Sequence, residues 1–344
     1  MLATKAYAAM TSTSELKPFE INRREVGAND VLIHIHYCGI CHSDLHQVRD
    51  EWKNSSFPMV PGHEIVGLVK AVGHNVKKFK LDDRVGVGCM VNSCKSCMHC
   101  MNNEEQFCVN GASFTYNSTE NGEPTYGGYS SQIVVNEDFV LKIPDNLNLE
   151  EAAPLLCAGI TTYAPLKQHK VNSSKLVAVA GLGGLGHIGV KIAKAMGANV
   201  AVLSRGETKR QAALDLGADE YLNISDPKAF ENAEIFDLIL DTVSAPHDFT
   251  AYINLLKIDG VMALVGAPPE PSPIDTMALV MRRRSLAGSL IGGIKLTQEM
   301  LDFCGKHKIV SDIELIKMDY VNKAYERLSK SDVKYRFVID MSSL

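Results

Sequence analysis

A chain of 344 residues exceeds the ~250–300 residues at which one hydrophobic core stops growing, so its length indicates two domains. Hydrophobic residues make up 46% and charged residues 22%, which is the composition of a globular protein and excludes a disordered or fibrous one. The net charge of −5 gives no general attraction to nucleic acid, and no apolar run approaches the ~18 residues of a membrane helix. We therefore expect neither a nucleic-acid nor a membrane partner.

The first part of the chain, up to about residue 150, is predicted to be an all-β domain. Short β-branched runs alternate there with Gly, Pro, Asn and Asp, the turn-forming residues that separate short strands. The predicted strands lie at residues 31–36, 64–69, 84–88 and 131–135.

Four cysteines in this part have the spacing of a zinc site. Cys94, Cys97 and Cys100 are separated by two residues each, and Cys108 follows after seven more. Four thiolates satisfy tetrahedral zinc and leave no position for a substrate, so this site is predicted to be structural. The alternative is a pair of disulfides. The odd total of nine cysteines and an N-terminus without signal-peptide features favour a reducing, cytoplasmic setting instead.

A second set of zinc-type residues consists of Cys41, His63 with Glu64 beside it, and Cys157. A catalytic zinc takes three protein ligands and keeps one position open, and two thiolates with one imidazole suit it. Taken singly, each residue could instead be a buried cysteine or a core histidine. One closed site and one open site together predict a zinc enzyme with a structural zinc lobe.

From about residue 150 onward, apolar strands alternate with helical patterns. This alternation predicts a doubly wound parallel sheet. The predicted elements are strands at 175–180, 200–203, 238–241 and 261–266, and helices at 184–196 and 209–216. A last short strand, at 335–340, belongs to a tail that composition alone does not assign to either domain.

A glycine-rich turn joins the first of these strands to the first helix. Such a turn brings backbone close to a pyrophosphate and directs helix N–H groups at it, and the strand–turn–helix setting is the one the motif requires. The alternative is a glycine turn without a ligand. The predicted dinucleotide-binding residues are Gly181, Gly183, Gly184, Leu185 and Gly186.

The end of the next strand predicts which dinucleotide is bound. A site for NAD places a carboxylate about 20 residues after the turn, where it binds the ribose 2′-hydroxyl. Here the strand ends in Ser204 and Arg205, with Lys209 shortly after. A hydroxyl and cations suit a 2′-phosphate, which favours NADP over NAD, although Glu207 lies close enough to weaken that preference.

With these motifs the chain resembles, over essentially its full length, the zinc-containing medium-chain alcohol dehydrogenases, and most closely their cinnamyl alcohol dehydrogenase branch. The matching segments are residues 39–44, 61–67, 94–108, 156–162, 181–186 and 334–339. The resemblance implies an α/β protein with a GroES-like β-rich catalytic domain at 1–155 and 292–344. It also implies a Rossmann domain with a doubly wound parallel sheet at 156–291, and a homodimer.

The resemblance implies roles for residues around the predicted catalytic zinc. Ser43 is expected to hydrogen-bond the substrate oxygen, and His46 to end a proton relay through the nicotinamide ribose. Asp44 is expected to orient the ligand histidine, and Glu64 to lie behind the metal and approach it. Trp52 is expected to form a wall of the substrate pocket, although an aromatic residue could equally belong to the core.

Three further residues are implied to contact the dinucleotide. Thr161 is expected to face the nicotinamide, and Arg336 to reach the pyrophosphate. His42 stands where the wider family often has a basic residue at the pyrophosphate and where the cinnamyl branch commonly has histidine.

The implied reaction is reversible hydride transfer between NADPH and aromatic or aliphatic aldehydes with broad specificity, with two zinc ions per chain. An NAD-dependent polyol dehydrogenase would share the zinc residues, but Ser204 and Arg205 disfavour it. A zinc-free quinone reductase is disfavoured because it would lack both cysteine sets. A non-enzymatic zinc- and nucleotide-binding protein is a third alternative, which a turnover assay distinguishes.

Overall fold

The computed structural model describes residues 1–231, 234–266, 268 and 272–344. The chain divides into two compact units, one formed by Met1–Ile160 with Gly292–Leu344 and the other by Thr161–Ile291. The carboxyl-terminal tail, which composition left unassigned, therefore lies in the first unit. None of the described helices is both long and apolar enough to cross a bilayer.

The N-terminal part of the chain forms short strands and one-turn to three-turn helices. The strands are β1 (Leu2–Ala8), β2 (Lys17–Arg23), β3 (Asp30–Gly39), β4 (Ile65–Val72), β5 (Arg84–Val87), β6 (Met90–Asn92), β7 (Ser113–Phe114), β8 (Thr119–Glu120), β9 (Glu123–Pro124), β10 (Gln132–Asn136) and β11 (Leu141–Lys142). The helices are α1 (His42–Val48), α2 (Met98–Met101), α3 (Leu149–Ala152) and α4 (Ala158–Gln168). A 3₁₀ turn at Ala153–Leu156 precedes α4, and another follows α2 at Glu105–Phe107.

The second unit consists of a parallel sheet and its helices. Its strands are β12 (Leu176–Ala180), β13 (Asn199–Ser204), β14 (Glu220–Asn223), β15 (Phe236–Asp241), β16 (Leu256–Leu264) and β17 (Ser285–Gly288). Its helices are α5 (Gly186–Ala195), α6 (Arg210–Asp215), α7 (Phe249–Asn254) and α8 (Thr276–Val280).

The tail then returns to the first unit. It contains α9 (Ile294–His307), β18 (Ile313–Lys317), α10 (Val321–Ser329) and β19 (Arg336–Asp340). Among the described residues, the main sheet of the first unit runs β11-β5-β4-β3-β19-β18, with β10 also paired to β3. β18 and β19 are parallel, whereas β3 pairs antiparallel with β4, β10 and β19.

The sheet of the second unit has the order β14-β13-β12-β15-β16-β17, and each of its described pairs is parallel. β12 and β13 are nearly continuous runs of buried Ala, Val and Leu, as expected for strands covered on both faces. In a parallel sheet the carboxyl ends of all strands lie on the same side. Three features therefore lie together on that side: the glycine turn after β12, Ser204 at the end of β13 and Asp241 at the end of β15.

One predicted strand is longer in the structure than in the sequence analysis. The strand expected at 261–266 begins at Leu256 and ends at Leu264. The earlier start was missed because Asp259 and Gly260 form a dipeptide typical of turns, and Asp259 has a φ of +62°.

Candidate active site and metal centres

The four cysteines of the 94–108 run converge on one point. Their sulfur atoms all lie within 4.8 Å of one another. The Sγ of Cys100 is 3.8 Å from that of Cys94 and 3.5 Å from that of Cys97. With Zn–S distances of about 2.3 Å, the edge of a tetrahedral ZnS₄ group is about 3.8 Å. The donor set and its spacing therefore fit a closed, structural zinc site.

Backbone N–H groups around these sulfurs favour the thiolate form that zinc requires. The N–H of Cys97 donates to the Sγ of Cys94 over 3.3 Å, and the N–H of Cys94 donates to the Sγ of Cys108 over 3.5 Å. The N–H groups of Ser96 and Cys97 lower the pKa of Cys94 to about 5. Burial raises the pKa of Cys100 to about 12, so this sulfur is the one that most needs a cation to ionise.

The second set of zinc-type residues is fully buried in the first unit. Cys41 follows β3 and precedes α1, His63 and Glu64 precede β4, and Cys157 lies between the 3₁₀ turn and α4. One donor atom of each of the four lies within 4.8 Å of the others. The Sγ atoms of Cys41 and Cys157 are 3.8 Å apart, again the edge of a tetrahedral zinc–thiolate group. These residues fit a zinc ion with two thiolates and one imidazole.

Asp44 fixes the orientation of the histidine in this site. Its Oδ1 lies 3.1 Å from the Nδ1 of His63 and also accepts the N–H of Gly62 over 3.1 Å, while its Oδ2 accepts the N–H of Cys41 over 2.8 Å. One buried carboxylate thus holds both Cys41 and His63, and the other ring nitrogen of His63 is free to ligate. Burial lowers the pKa of His63, but Asp44 and the neighbouring thiols outweigh it and raise the pKa well above its ordinary value.

Glu64 lies in the same cluster and forms a buried ion pair with Arg336. Its Oε1 accepts from the Arg336 guanidinium, whereas its Oε2 has no hydrogen-bond partner among the described residues. Burial raises the pKa of Glu64 to about 8 despite that arginine. Gly39 packs directly against this carboxylate, so a Cβ at this position would displace the Glu64 side chain.

Ser43, His46 and Trp52 lie on or just after α1, which begins directly after Cys41. The Oγ of Ser43 is 3.7 Å from the Sγ of Cys41, so its hydroxyl borders the predicted zinc site. The Nδ1 of His46 contacts the carboxylate of Glu51, and its ring lies 5.2 Å from the ring of Trp52. Trp52 is 37% exposed and therefore is not a core residue.

The remaining predicted cofactor residues of the first unit are His42 and Arg336. His42 begins α1, and its ring centroid lies 6.1 Å from that of His46. Burial lowers the pKa of His42, and the nearby Arg336 lowers it further, so the imidazole is favoured in its neutral form. The pyrophosphate contacts of both residues stay predictions.

In the second unit the glycine turn has the backbone geometry that phosphate binding needs. Gly181 has a φ of +88°, and a Cβ on Gly186 would stand 2.0 Å from the Gly181 carbonyl oxygen. A Cβ on Gly183 would meet no atom within 4 Å. Gly181 needs glycine for the turn, and Gly186 needs it for close packing. The open space at Gly183 leaves room for a ligand.

The end of β13 brings cationic groups to this turn. Ser204 is buried and Arg205 is exposed, and the Nζ of Lys209 donates to the carbonyl of Leu182 over 3.1 Å. Glu207, the carboxylate that could weaken a preference for phosphate, forms an ion pair of 2.6 Å with Arg210. Burial, aided by Arg205, lowers the pKa of Lys209. Thr161 lies buried in α4.

Two neighbours of the predicted zinc site were missed in the sequence. The ring of Tyr116 stacks on that of His63 with centroids 5.7 Å apart. Cys89 has its Sγ 4.0 Å from the carbonyl oxygen of Leu156 and interacts with Cys157. Both lie in irregular segments far from their partners in the chain, and no motif marks them.

A buried Cys₂His site with an orienting carboxylate, a separate four-thiolate site and a glycine turn after a parallel strand together define a zinc-dependent dehydrogenase. Comparison with known families agrees. The alcohol dehydrogenase GroES-like domain family matches residues 27–145, and the zinc-binding dehydrogenase family matches residues 184–306.

Individual relatives cover nearly the whole chain. NADP-dependent alcohol dehydrogenase C 1 of Mycolicibacterium smegmatis is 53% identical over 100% of this chain and 99% of that protein. The cinnamyl alcohol dehydrogenase SbCAD4 of Sorghum bicolor superposes with a TM-score of 0.97, 44% identity and coverage of 99% and 98%. CAD from Helicobacter pylori, solved with NADP(H), superposes with a TM-score of 0.94, 46% identity and coverage of 99% of each chain.

The chain belongs to the zinc-binding alcohol dehydrogenases of the cinnamyl type. The predicted family, fold class, enzyme class and cofactors, zinc and NADP(H), are thereby confirmed. The roles of the individual site residues stay predictions.

Proposed function

We propose that this protein is a zinc-dependent alcohol dehydrogenase that reversibly reduces aromatic and aliphatic aldehydes with NADPH. The observation that carries the proposal is the buried arrangement of Cys41, His63 and Cys157, in which Asp44 orients the imidazole. The test is a steady-state assay of cinnamaldehyde, benzaldehyde and a short aliphatic aldehyde with NADPH and with NADH, compared by kcat/KM. Mannitol with NADP⁺ and NAD⁺ tests the polyol alternative.

The chemistry of the bound groups is simple to state: zinc polarises a carbonyl oxygen as a Lewis acid, and NADPH supplies the hydride. The protein's own residues do the rest. Cys41, His63 and Cys157 are buried and would hold the metal, and the carboxylate of Asp44 fixes the orientation of the imidazole. Ser43 supplies a proton to the substrate oxygen from its Oγ.

His46 is proposed to exchange the proton of this hydroxyl with water. Its ring is only partly buried, and the carboxylate of Glu51 holds its Nδ1. Because Glu51 binds the Nδ1 of His46, the Nε2 of this titratable ring stays available to a proton donor or acceptor.

We expect Ser204→Asp to lower the preference for NADPH over NADH, measured as a ratio of kcat/KM, by at least about tenfold. A carboxylate placed near the dianionic 2′-phosphate repels it, and like charges ~4 Å apart cost about 1–4 kcal/mol near a protein surface. Ser173→Asp, at an exposed position before β12, is the matched control and should leave the ratio unchanged. A wild-type enzyme whose kcat/KM with NADH equals that with NADPH would contradict the proposed cofactor site.

Trp52 supports a pocket for planar aldehydes. Its indole is 37% exposed and lies against the ring of His46, so an apolar face is available beside the site. We expect Trp52→Ala to lower kcat/KM for cinnamaldehyde about two- to tenfold more than for a short aliphatic aldehyde. Aromatic contacts contribute about 0.5–1.5 kcal/mol beyond area burial. Phe114→Ala removes another exposed aromatic ring and serves as the control, and equal losses for both aldehydes in Trp52→Ala would remove Trp52 from the pocket.

The edge of the second unit's sheet supports a homodimer. β17 is the terminal strand of that sheet, and exposed Met277, Val280 and Met281 lie on or beside α8, which precedes it. An open strand edge next to exposed apolar side chains is suited to pairing with a second copy. A monomeric mass in sedimentation would contradict this proposal.

The nine cysteines, all among the described residues, also support a reducing, cytoplasmic location, because none of them forms a disulfide.

A further inference from the structure

A buried ion pair lies at the carboxyl end of β15, in the second unit. The Oδ2 of Asp241 is 3.2 Å from the Nε2 of His247, and the two side chains are 1% and 12% exposed. The ring of His247 contacts the rings of Phe249 and Tyr252, at centroid distances of 4.7 and 5.1 Å. Neither the Oδ2 of Asp241 nor the Nε2 of His247 has a hydrogen-bond partner among the described residues, so the charge contact between them is what offsets the burial of each atom.

The surroundings of His247 require its charged form. Its Nδ1 lies 2.9 Å from the carbonyl oxygen of Ala245, while its Nε2 faces the Asp241 carboxylate. A neutral imidazole would use its one N–H on the Ala245 carbonyl and leave the buried Asp241 carboxylate without an opposite charge. An imidazolium donates to that carbonyl and also carries the charge that faces Asp241. Loss of the proton would therefore break one of the two contacts that hold the segment after β15.

That segment forms one side of the glycine turn. The Oδ1 of Asp241 accepts the N–H of Val243 over 3.0 Å, and the Thr242 hydroxyl donates to the carbonyl of Ala180 over 2.7 Å. A Cβ on Gly181 would stand 2.9 Å from the Oγ1 of Thr242 and 3.1 Å from a methyl group of Val243. The ion pair is thus connected through two residues to the backbone that is shaped for pyrophosphate.

We propose that Asp241 and His247 are positioning residues for the dinucleotide: their ion pair holds residues 242–246 against the glycine turn in the conformation that binds NADPH. This inference rests on the proposed cofactor. The pair itself touches no reacting atom, so its loss should raise Kd and KM for NADPH and leave kcat nearly unchanged.

The test compares Asp241→Asn and His247→Gln with a control on the same strand. Asp237, at the amino end of β15, also accepts a backbone N–H, that of Leu176 over 2.9 Å, and pairs with Lys257 over 2.9 Å. Asp237→Asn therefore removes an ion pair at the other end of the same strand, although one that is more exposed, at 43% and 19%, than the pair of Asp241 and His247. NADPH affinity is measured by fluorescence titration of each zinc-loaded protein, and thermal unfolding reports the stability lost in each variant.

We expect about tenfold weaker NADPH binding in Asp241→Asn and in His247→Gln, because each leaves a buried partner without its counterpart. Asp237→Asn should keep the wild-type Kd and lose less thermal stability, because its ion pair is more exposed. The inference is overturned if both variants bind NADPH within twofold of wild type, or if Asp237→Asn weakens binding equally. If Asp241→Asn does not fold, His247→Gln still tests the inference, because it removes the imidazolium and keeps the Asp241 carboxylate that accepts the N–H of Val243.

The dependence of Kd on pH gives a second readout. Burial is the largest influence on His247 and lowers its pKa, but the contacts with Asp241 and Ala245 together raise it above its ordinary value of about 6.5. The charged groups that face the ring are Asp241 and, at the start of α7, Asp248, and Tyr252 adjoins both the ring and Arg205. A raised pKa means that the imidazolium, and the affinity it supports, is complete below about pH 6.5 and is lost as pH rises through the raised value.

Wild-type affinity should therefore weaken from pH 6.5 upward more steeply than that of His247→Gln. Titration of Lys209 and of the 2′-phosphate is common to both proteins and cancels in the comparison. Parallel pH profiles would overturn the inference. A wild-type protein that prefers NADH would instead refute the proposed cofactor, and the ion pair would then be tested by the same titrations with NADH.

Discussion

Replacing Cys41 with serine is expected to abolish turnover and to lower the zinc content from two ions per chain to one, with little loss of fold. A serine hydroxyl does not supply the thiolate that soft-ligand zinc sites use, and Cys41 shares its site with Cys157 at a sulfur–sulfur distance of 3.8 Å. A Lewis acid contributes several kcal/mol of transition-state stabilisation, so kcat should fall by more than about a thousandfold. Metal analysis, circular dichroism and the aldehyde assay measure the three effects.

Cys97→Ser is expected to lower the thermal stability of the protein, in contrast to the loss of turnover expected for Cys41→Ser. The four sulfurs of this predicted site would close it to substrate, so its metal would contribute folding free energy rather than chemistry. We expect its melting temperature to fall by about 5 °C or more, since each 1 kcal/mol lowers Tm by roughly 2–4 °C in a domain of this size. Cys304→Ala is the control for loss of a buried thiol in α9, outside both clusters. Loss of activity without loss of stability in Cys97→Ser would show that the two sites are wrongly assigned.

The sites that could be predicted from the sequence are those whose residues lie close together in the chain. Two-residue gaps place Cys94, Cys97 and Cys100 around one ion because a few residues of chain suffice to wrap it. The glycine turn could be predicted for the same reason, because its strand, turn and helix follow one another directly in the sequence. The alternation of apolar runs in the second unit likewise predicted a parallel sheet and four of its strands. It did not predict β14 and β17, and the Asp259-Gly260 dipeptide concealed the start of β16.

What the sequence did not reveal are contacts between distant residues of irregular segments. Glu64 and Arg336 form a buried ion pair across 272 positions, and Tyr116 stacks on His63 from a loop with no motif of its own. The ion pair of Asp241 and His247 is close in sequence, yet nothing in the pattern of residues shows that the chain folds back there. Such pairs depend on the packing of the whole unit, which a single sequence does not encode in any local spacing.

The proton path through Ser43 and His46 is the second prediction with a large effect. Ser43 lies two residues after Cys41, and its Oγ stands 3.7 Å from that ligand's sulfur, so its hydroxyl reaches the space beside the predicted metal. Removing a group that transfers a proton in the transition state typically costs 10²–10⁴-fold in rate. We expect Ser43→Ala to lose activity within that range in both directions, with zinc content and NADPH affinity unchanged.

Ser43→Thr keeps a hydroxyl on the same backbone position and should recover much of the rate, which separates loss of the proton donor from loss of packing. His46→Ala should be milder, because His46 is partly exposed and water can replace it at the open end of the path. Its loss should change the shape of the pH–rate profile more than the maximum rate. Exposed His74→Ala is the matched control and should leave the profile unaltered. An unaltered profile in His46→Ala as well would remove this histidine from the path, and Ser43 would then exchange its proton directly with water.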